Sequence, residues 1–298
     1  RFGEAVADLT AVLARDPELD WVLAERGEAH RLAGRPDEAV ADFTAALALD
    51  PVYPWALARR GQAHRQAGRL DEAVADLTAA LERDPELDWV LAERGEVHRE
   101  AGRYEEAVAD LSAVLARNPD LAWVFAERGE AHRQTGRYEE AVADFTAALD
   151  RNPDLVWVLA HRGMALREAG RFARAREDLE RAVASEPDDL GLLFEMAMLD
   201  TVVSGFAACR DQWAGLLAHP VAAPPDDDAT RFFALFRALL LDPEDTVEEA
   251  ARAFLGSGPD ADAVTDALHY LAELAAGEGV AAERAGRCRR LVAAAARG

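Results

Sequence analysis

The sequence has no lysine, so all 33 basic residues are arginine. That excludes Schiff-base catalysis through a lysine and the phosphate-gripping lysine of a P-loop. Isoleucine is absent as well, and together the two gaps fit a GC-rich coding sequence. Cysteine is limited to Cys209 and Cys288, far apart and in neither metal nor redox spacing. Two free thiols in a reducing, cytoplasmic compartment are therefore expected. No apolar run approaches the ~20 residues of a membrane-spanning helix, and no signal peptide is visible. Excess positive charge is also missing, the formal net charge being −23. Counterion release needs a cationic face, so neither nucleic acid nor an anionic membrane surface is an expected partner. Cationic partners are favoured in approach rate. HExxH, CxxC, GxGxxG and GxSxG are all absent.

What is present is a period. Trp21, Trp55, Trp89, Trp123 and Trp157 are each 34 residues apart, as are the Pro17 to Pro187 and Gly27 to Gly163 series. A fixed period in this range means a stacked array of one supersecondary unit. In residues 20–53, Asp20 is placed to cap a helix that begins at Trp21. Gly34 ends it as a left-handed residue. Asp37 and Glu38 suit the start of a second helix, which runs to about Leu49 before Pro51 stops it. At 100° per residue, Trp21, Ala24, Glu25, Glu28 and Arg31 share one side of the first helix, while Ala39, Phe43 and Ala46 form a stripe on the second. Gly27 and Ala39 are small enough to let the two axes approach.

Gly27, Ala39, Phe43, Ala46 and Pro51 sit where the tetratricopeptide repeat (TPR) family places its signature residues, and the pattern recurs five times. The chain thus resembles a bacterial, actinobacterial-like member of that family. The resemblance implies an all-α, right-handed superhelical solenoid of antiparallel helix pairs, with a concave groove lined by the first helices. On this basis residues 1–19 hold the second helix of a truncated repeat, within a piece of a longer polypeptide. Five units follow over 20–189 (20–53, 54–87, 88–121, 122–155 and 156–189). A degenerate helix pair is expected at 190–222 and a divergent helical cap at 223–298, with helices near 228–241, 244–256, 260–276 and 280–296. A dimerisation surface is the alternative for the last region.

Two departures from the family pattern stand out. The aromatic residue has moved two positions, onto the face that should line the groove. A position normally apolar is arginine in every repeat, and each arginine has an aspartate at matching height on the second helix. Five structural ion pairs are expected: Arg26–Asp42, Arg60–Asp76, Arg94–Asp110, Arg128–Asp144 and Arg162–Asp178. An isolated buried arginine would be costly, whereas a guanidinium–carboxylate pair tolerates partial burial. His30, His64, His98 and His132 are at a position usually aromatic. They stand at least ~8–10 Å apart on successive helices, too far to share a metal, and are read as packed, hydrogen-bonded filler.

No polar constellation breaks the repeat symmetry, so neither a catalytic site nor a cofactor is expected. The leading expectation is a protein-interaction scaffold. Its partner-binding residues would be the indoles of Trp21, Trp55, Trp89, Trp123 and Trp157 beside the carboxylates of Glu25, Glu28, Glu93, Glu96, Glu127 and Glu130. Indole next to carboxylate suits arginine or lysine side chains of a peptide or partner helix. The bland reading of the ladder is that each indole packs on the next repeat. The alternatives for the whole polypeptide are a sensor, autoinhibitory or oligomerisation arm of a larger bacterial signalling ATPase, or an enzyme sited in 190–298. Self-association is a further possibility.

Overall fold

The computed structural model describes residues 2–217, 251–252, 255, 267, 270–271 and 280–295. Among these residues there are fourteen helices and no strand. The first thirteen are α1 (Phe2–Leu13), α2 (Asp20–Leu32), α3 (Pro36–Leu49), α4 (Pro54–Gln66), α5 (Leu70–Arg83), α6 (Asp88–Glu100), α7 (Tyr104–Arg117), α8 (Ala122–Gln134), α9 (Tyr138–Arg151), α10 (Val156–Glu168), α11 (Phe172–Ser185), α12 (Leu190–Ser204) and α13 (Phe206–Leu217). The last, α14, is Val280–Ala295. The helices expected near 228–241, 244–256 and 260–276 fall mostly outside the described residues. The chain divides into two compact units, Arg1–Arg128 and Gly129–Gly298, with the division inside α8.

Local chemistry sets the helix ends. Gly34 has φ 70°. Its N–H donates to Arg31 O at 3.0 Å, and that of Arg35 donates to His30 O at 3.0 Å. These are the two bonds of a Schellman motif, which satisfies the orphan carbonyls of α2. Pro36 then opens α3 at its first turn, where no N–H is needed. The expected side-chain cap at Asp20 is corrected: Leu19 is the cap residue and no side-chain cap bond forms. Asp20 is already in the first turn, where its charge complements the helix dipole.

In the first unit, α2 packs on α3, α4 on α5 and α6 on α7, and α1, α3 and α5 each also meet the next first helix. Gly61 shows how close these helices run. A Cβ there would lie 2.9 Å from Leu77 Cγ and 3.2 Å from Ala73 O. The stripe of Ala39, Phe43 and Ala46 is fully buried, with Ala73, Leu77 and Ala80 repeating it in the next pair. One apolar cluster runs from Leu13 to Val97. Most stability in such an array comes from burying these faces on neighbours.

In the second unit, α9, α10, α11, α12 and α13 pack in succession. Trp213 and Cys209, at the register positions of Phe43 and Ala39, are both buried. Trp213 meets Phe194 edge to face at 5.2 Å and donates from Nε1 to Thr201 Oγ1 at 2.8 Å. Ala251, Ala267, Tyr270, Leu271, Ala285, Cys288 and Val292 join the same core cluster.

Candidate functional site

Each first helix carries two rows of arginine. The inner row forms the seams between helices. Arg26 donates from Nε and Nη2 to Asp42 Oδ2 and Oδ1 at 2.7 and 2.6 Å. The geometry repeats for Arg60 on Asp76, Arg94 on Asp110 and, in the second unit, Arg162 on Asp178. The expected Arg128–Asp144 rung has one member in each unit. Burial is shared unequally. The aspartates are buried, whereas the arginine side chains of the first three rungs keep about a fifth of their surface open. These arginines are thus mostly buried, though less so than their aspartates. The third nitrogen explains the difference, because it reaches outward to the preceding repeat: Arg26 Nη1 donates to Thr10, Arg60 to Thr44, Arg94 to Thr78, Arg128 to Ser112 and Arg162 to Thr146, at 3.0–3.2 Å. That hydroxyl row is also 34-periodic in the sequence, a signal the pairing argument did not use.

The outer row changes the reading of the acidic face. Arg65 Nη1 donates to Glu93 at 2.9 Å, Arg99 Nε to Glu127 at 3.0 Å and Arg167 Nη2 to Glu195 at 3.3 Å. In each case the carboxylate is 28 residues further on. Where that position holds no glutamate, the arginine finds another carboxylate. Arg31, opposite Arg59, forks onto Glu28 of its own helix with two 2.7 Å bonds. Arg133, opposite His161, forks onto Glu130 and reaches Glu168 at 2.9 Å. Glu96 adds a 2.7 Å contact to Arg65. Glu28, Glu93, Glu96, Glu127 and Glu130, expected to face a partner, are therefore engaged by the chain's own guanidiniums. Glu130 is also buried. The physical reason is local: Arg31 shares the face of Glu28 one turn away, and the partners recur with the period. Glu25 is the exposed member of the series.

These pairings move proton affinities. Burial lowers that of Arg65, but its bonds to Glu100 and Glu93 outweigh it and the net direction is up. Burial pushes the Glu96 carboxyl up, and Glu93 and Glu127 add to this against Arg65. Burial would raise Glu130 too, but Arg133, His161 and the Gln134 amide bring it down to about 2. Burial also lowers His30, His64 and His98. Arg69 Nε donates to His64 Nδ1 at 2.9 Å, which places the ring proton on Nε2, 3.7 Å from Asp76. The Nδ1 atoms of His30 and His98 are buried without a hydrogen-bond partner, so the hydrogen-bonded reading is corrected at those two rings. Among the described residues no three metal-ligating side chains cluster, and no helix is long and apolar enough to cross a membrane.

The indoles remain. In the first unit Trp21, Trp89 and Trp123 are 55 %, 38 % and 40 % exposed, as large apolar groups on the surface. Trp55 is half-buried, stacked on Tyr53 at 5.9 Å and edge-on to Phe43 at 6.2 Å. Arg59 lies between Trp55 and Trp89, its Cζ 5.4 and 5.0 Å from the two ring centres. In the second unit Trp157 is exposed and meets His161 edge to face at 5.6 Å. Also in this unit, Tyr270 donates to Glu195, and Arg167 stands 5.1 Å over the Tyr270 ring.

Sequence models described as Tetratricopeptide repeat match residues 1–54, 25–88 and 92–156, and a second model of that description matches 132–195. No curated protein matches the sequence. Among solved structures, a tetratricopeptide repeat protein from Parabacteroides merdae ATCC 43184 aligns with TM-score 0.71 at 18 % identity, over 92 % of this chain and 98 % of its own. YrrB, described as a TPR protein with an unusual peptide-binding site, gives 0.55 at 19 % identity, over 62 % and 96 %. MamA from AMB-1 gives 0.52 at 24 % identity, over 58 % and 95 %. At these identities the likeness is one of fold.

Proposed function

We propose that this chain, which belongs to the tetratricopeptide repeat family, is a non-catalytic scaffold that holds a peptide or helix of a partner protein against the first helices of residues 1–128. The carrying observation is the row of exposed indoles on α2, α6 and α8. Large aromatic groups left open on one face supply rigid contact area at small entropic cost and concentrate binding energy. The peptide-binding site named for YrrB supports the same use of the fold.

The partner is cationic. Along this face Glu25, Glu28, Glu93, Glu96, Glu100 and Glu127 outnumber Arg31, Arg59, Arg65 and Arg99. Internal pairing mutes but does not cancel the negative sign, and exposed Glu25 keeps its charge for a partner. In the same reading, residues 20–189 are five functional units, 190–222 continues them as a degenerate pair, and 223–298 covers the last apolar face. The core cluster that joins Met198 and Trp213 to Cys288 and Val292 supports that capping role.

The test is a titration with a capped arginine-rich peptide over a salt series. Glu25→Gln should weaken binding most at low ionic strength, where exposed charges act at longest range. Trp89→Ala and Trp123→Ala should weaken it at every ionic strength. Binding that is identical in all three variants and the parent would remove this face as the recognition surface.

A further inference from the structure

We propose that the notch between Trp55 and Trp89 is a guanidinium-binding site occupied by the chain's own Arg59, and that an arginine of the partner peptide binds there by displacing it. The inference rests on the reading of this face as a peptide-docking surface and adds which side chain is recognised, where and how.

The exception at position 59 carries the argument. The same helix position holds Glu25, Glu93 and Glu127 in the other repeats of this unit. At Glu93 and Glu127 the register rule sets an arginine from the preceding first helix on the glutamate. At position 59 the rule would oppose Arg31 to another guanidinium, and Arg31 forks onto Glu28 instead. Arg59 is left with few polar anchors. Nη1 donates to Gln62 Oε1 at 2.7 Å and lies 3.9 Å from Glu28, and Nε is buried with no hydrogen-bond partner. What holds the head is the pair of indoles at 5.4 and 5.0 Å. An arginine placed this way is its own model of the ligand.

The occupant is also displaceable. Cation–π contacts at partly exposed sites are weak individually, and 26 % of the Arg59 side chain and 38 % of Trp89 reach solvent. If Arg59 swings into water it loses one good hydrogen bond. Glu28 and Gln62 then stand at the notch to receive the incoming group. Two indoles gathered on one cation select a flat, stacking guanidinium over a compact ammonium. The chain's own arginine therefore lowers apparent affinity by the fraction of time the notch is shut.

The experiment is calorimetric titration of a capped Gly-Arg-Gly-Arg-Gly peptide, and its lysine counterpart, into the parent, Arg59→Ala, Arg59→Leu and the Arg59→Ala, Trp89→Ala double variant. Alanine and leucine remove the same charge, but only alanine empties the notch. Arg59→Ala should bind the arginine peptide about fivefold to tenfold tighter than the parent. Arg59→Leu should gain less than half of that, the double variant should lose the gain, and the lysine peptide should gain less. Arg59→Ser, as small as alanine, should repeat the gain if the alanine variant folds poorly. Equal gains for alanine and leucine would reduce the effect to lost repulsion and overturn the proposal. So would an Arg59→Ala protein that binds no better than a parent whose binding still depends on Trp123, and that result leaves the docking face intact. Absence of binding in every variant overturns both.

Discussion

Arg94→Ala tests the inner seam most directly. Arg94 gives Asp110 two charge-assisted bonds at 2.8 and 2.7 Å and Thr78 a third at 3.1 Å, so one side chain ties α5, α6 and α7 together. Asp110 is 8 % exposed. Truncating one partner of a buried pair costs about 3–5 kcal/mol, chiefly from the charge left behind. Arg94 itself keeps 20 % of its side chain open, and water entering by that path lowers the expected loss to about 2–3 kcal/mol. The neighbourhood adds a pH signature. His98 Nε2 lies 3.9 Å from Asp110. Burial lowers His98; Asp110 and Glu106 oppose the shift, and Arg103 and Arg94 reinforce it. Without Arg94 the imidazole is freer to take a proton and pair with Asp110. A folded-state pKa raised in this way contributes stability that is present at low pH and lost as pH rises through it. The penalty should therefore be largest near pH 8 and shrink toward pH 5.5. Urea unfolding of the whole chain, followed by far-UV circular dichroism with amide exchange in α6 and α7, measures both effects. A penalty below about 0.5 kcal/mol at pH 8, within the range of ordinary surface substitutions, or one that grows on acidification, would refute the reasoning.

The remaining expectations are simpler. Gly61→Ala should destabilise by about 1–3 kcal/mol through overpacking against Leu77, whereas Gly3→Ala, with nothing within 4 Å, should be neutral or slightly stabilising in the same melt. His64 has its folded pKa lowered, so it contributes stability that is complete above the unfolded value of ~6.5 and falls as pH drops below it; His64→Phe should flatten that part of the stability curve. Cys288 is buried and its thiol pushed up to about 12 by burial, so a disulfide reagent at neutral pH should label it only after unfolding. Rapid labelling of the native chain would contradict that packing.

The periodic signals carried the fold because each is local. A left-handed glycine, a proline stop and a buried small-residue stripe need only their own turn of helix, and Gly34, Pro51 and Ala39 act as their types dictate. The Asp42 series was legible too, since one carboxylate facing one arginine at the same height leaves little choice. The outer face was harder. Glu28, Glu93, Glu96 and Glu127 choose among several cations, and the winner depends on distances between helices that composition does not supply. In the sequence Arg59 is only an interruption of the Glu25, Glu93 and Glu127 series. Its place at two rings follows from what Arg31 does on the preceding first helix.

The register of these seams bears on how such an array changes length. Excising residues 54–87 as a block would bring Arg31 against Glu93, the same match that Arg65 makes with Glu93, and Arg94 against Thr44, the hydroxyl that Arg60 uses. The exposed pair would also be renewed, with Arg103 meeting Asp37 in place of Asp71. The join made by this excision offers the same donors and acceptors as the junctions around it, so the copy can be gained or lost by unequal recombination without stranding a charge there. The one idiosyncratic piece removed would be Arg59 with Trp55. Repeat number is thus free to drift in this architecture, while the notch that departs from the pattern exists once and is inherited or lost whole.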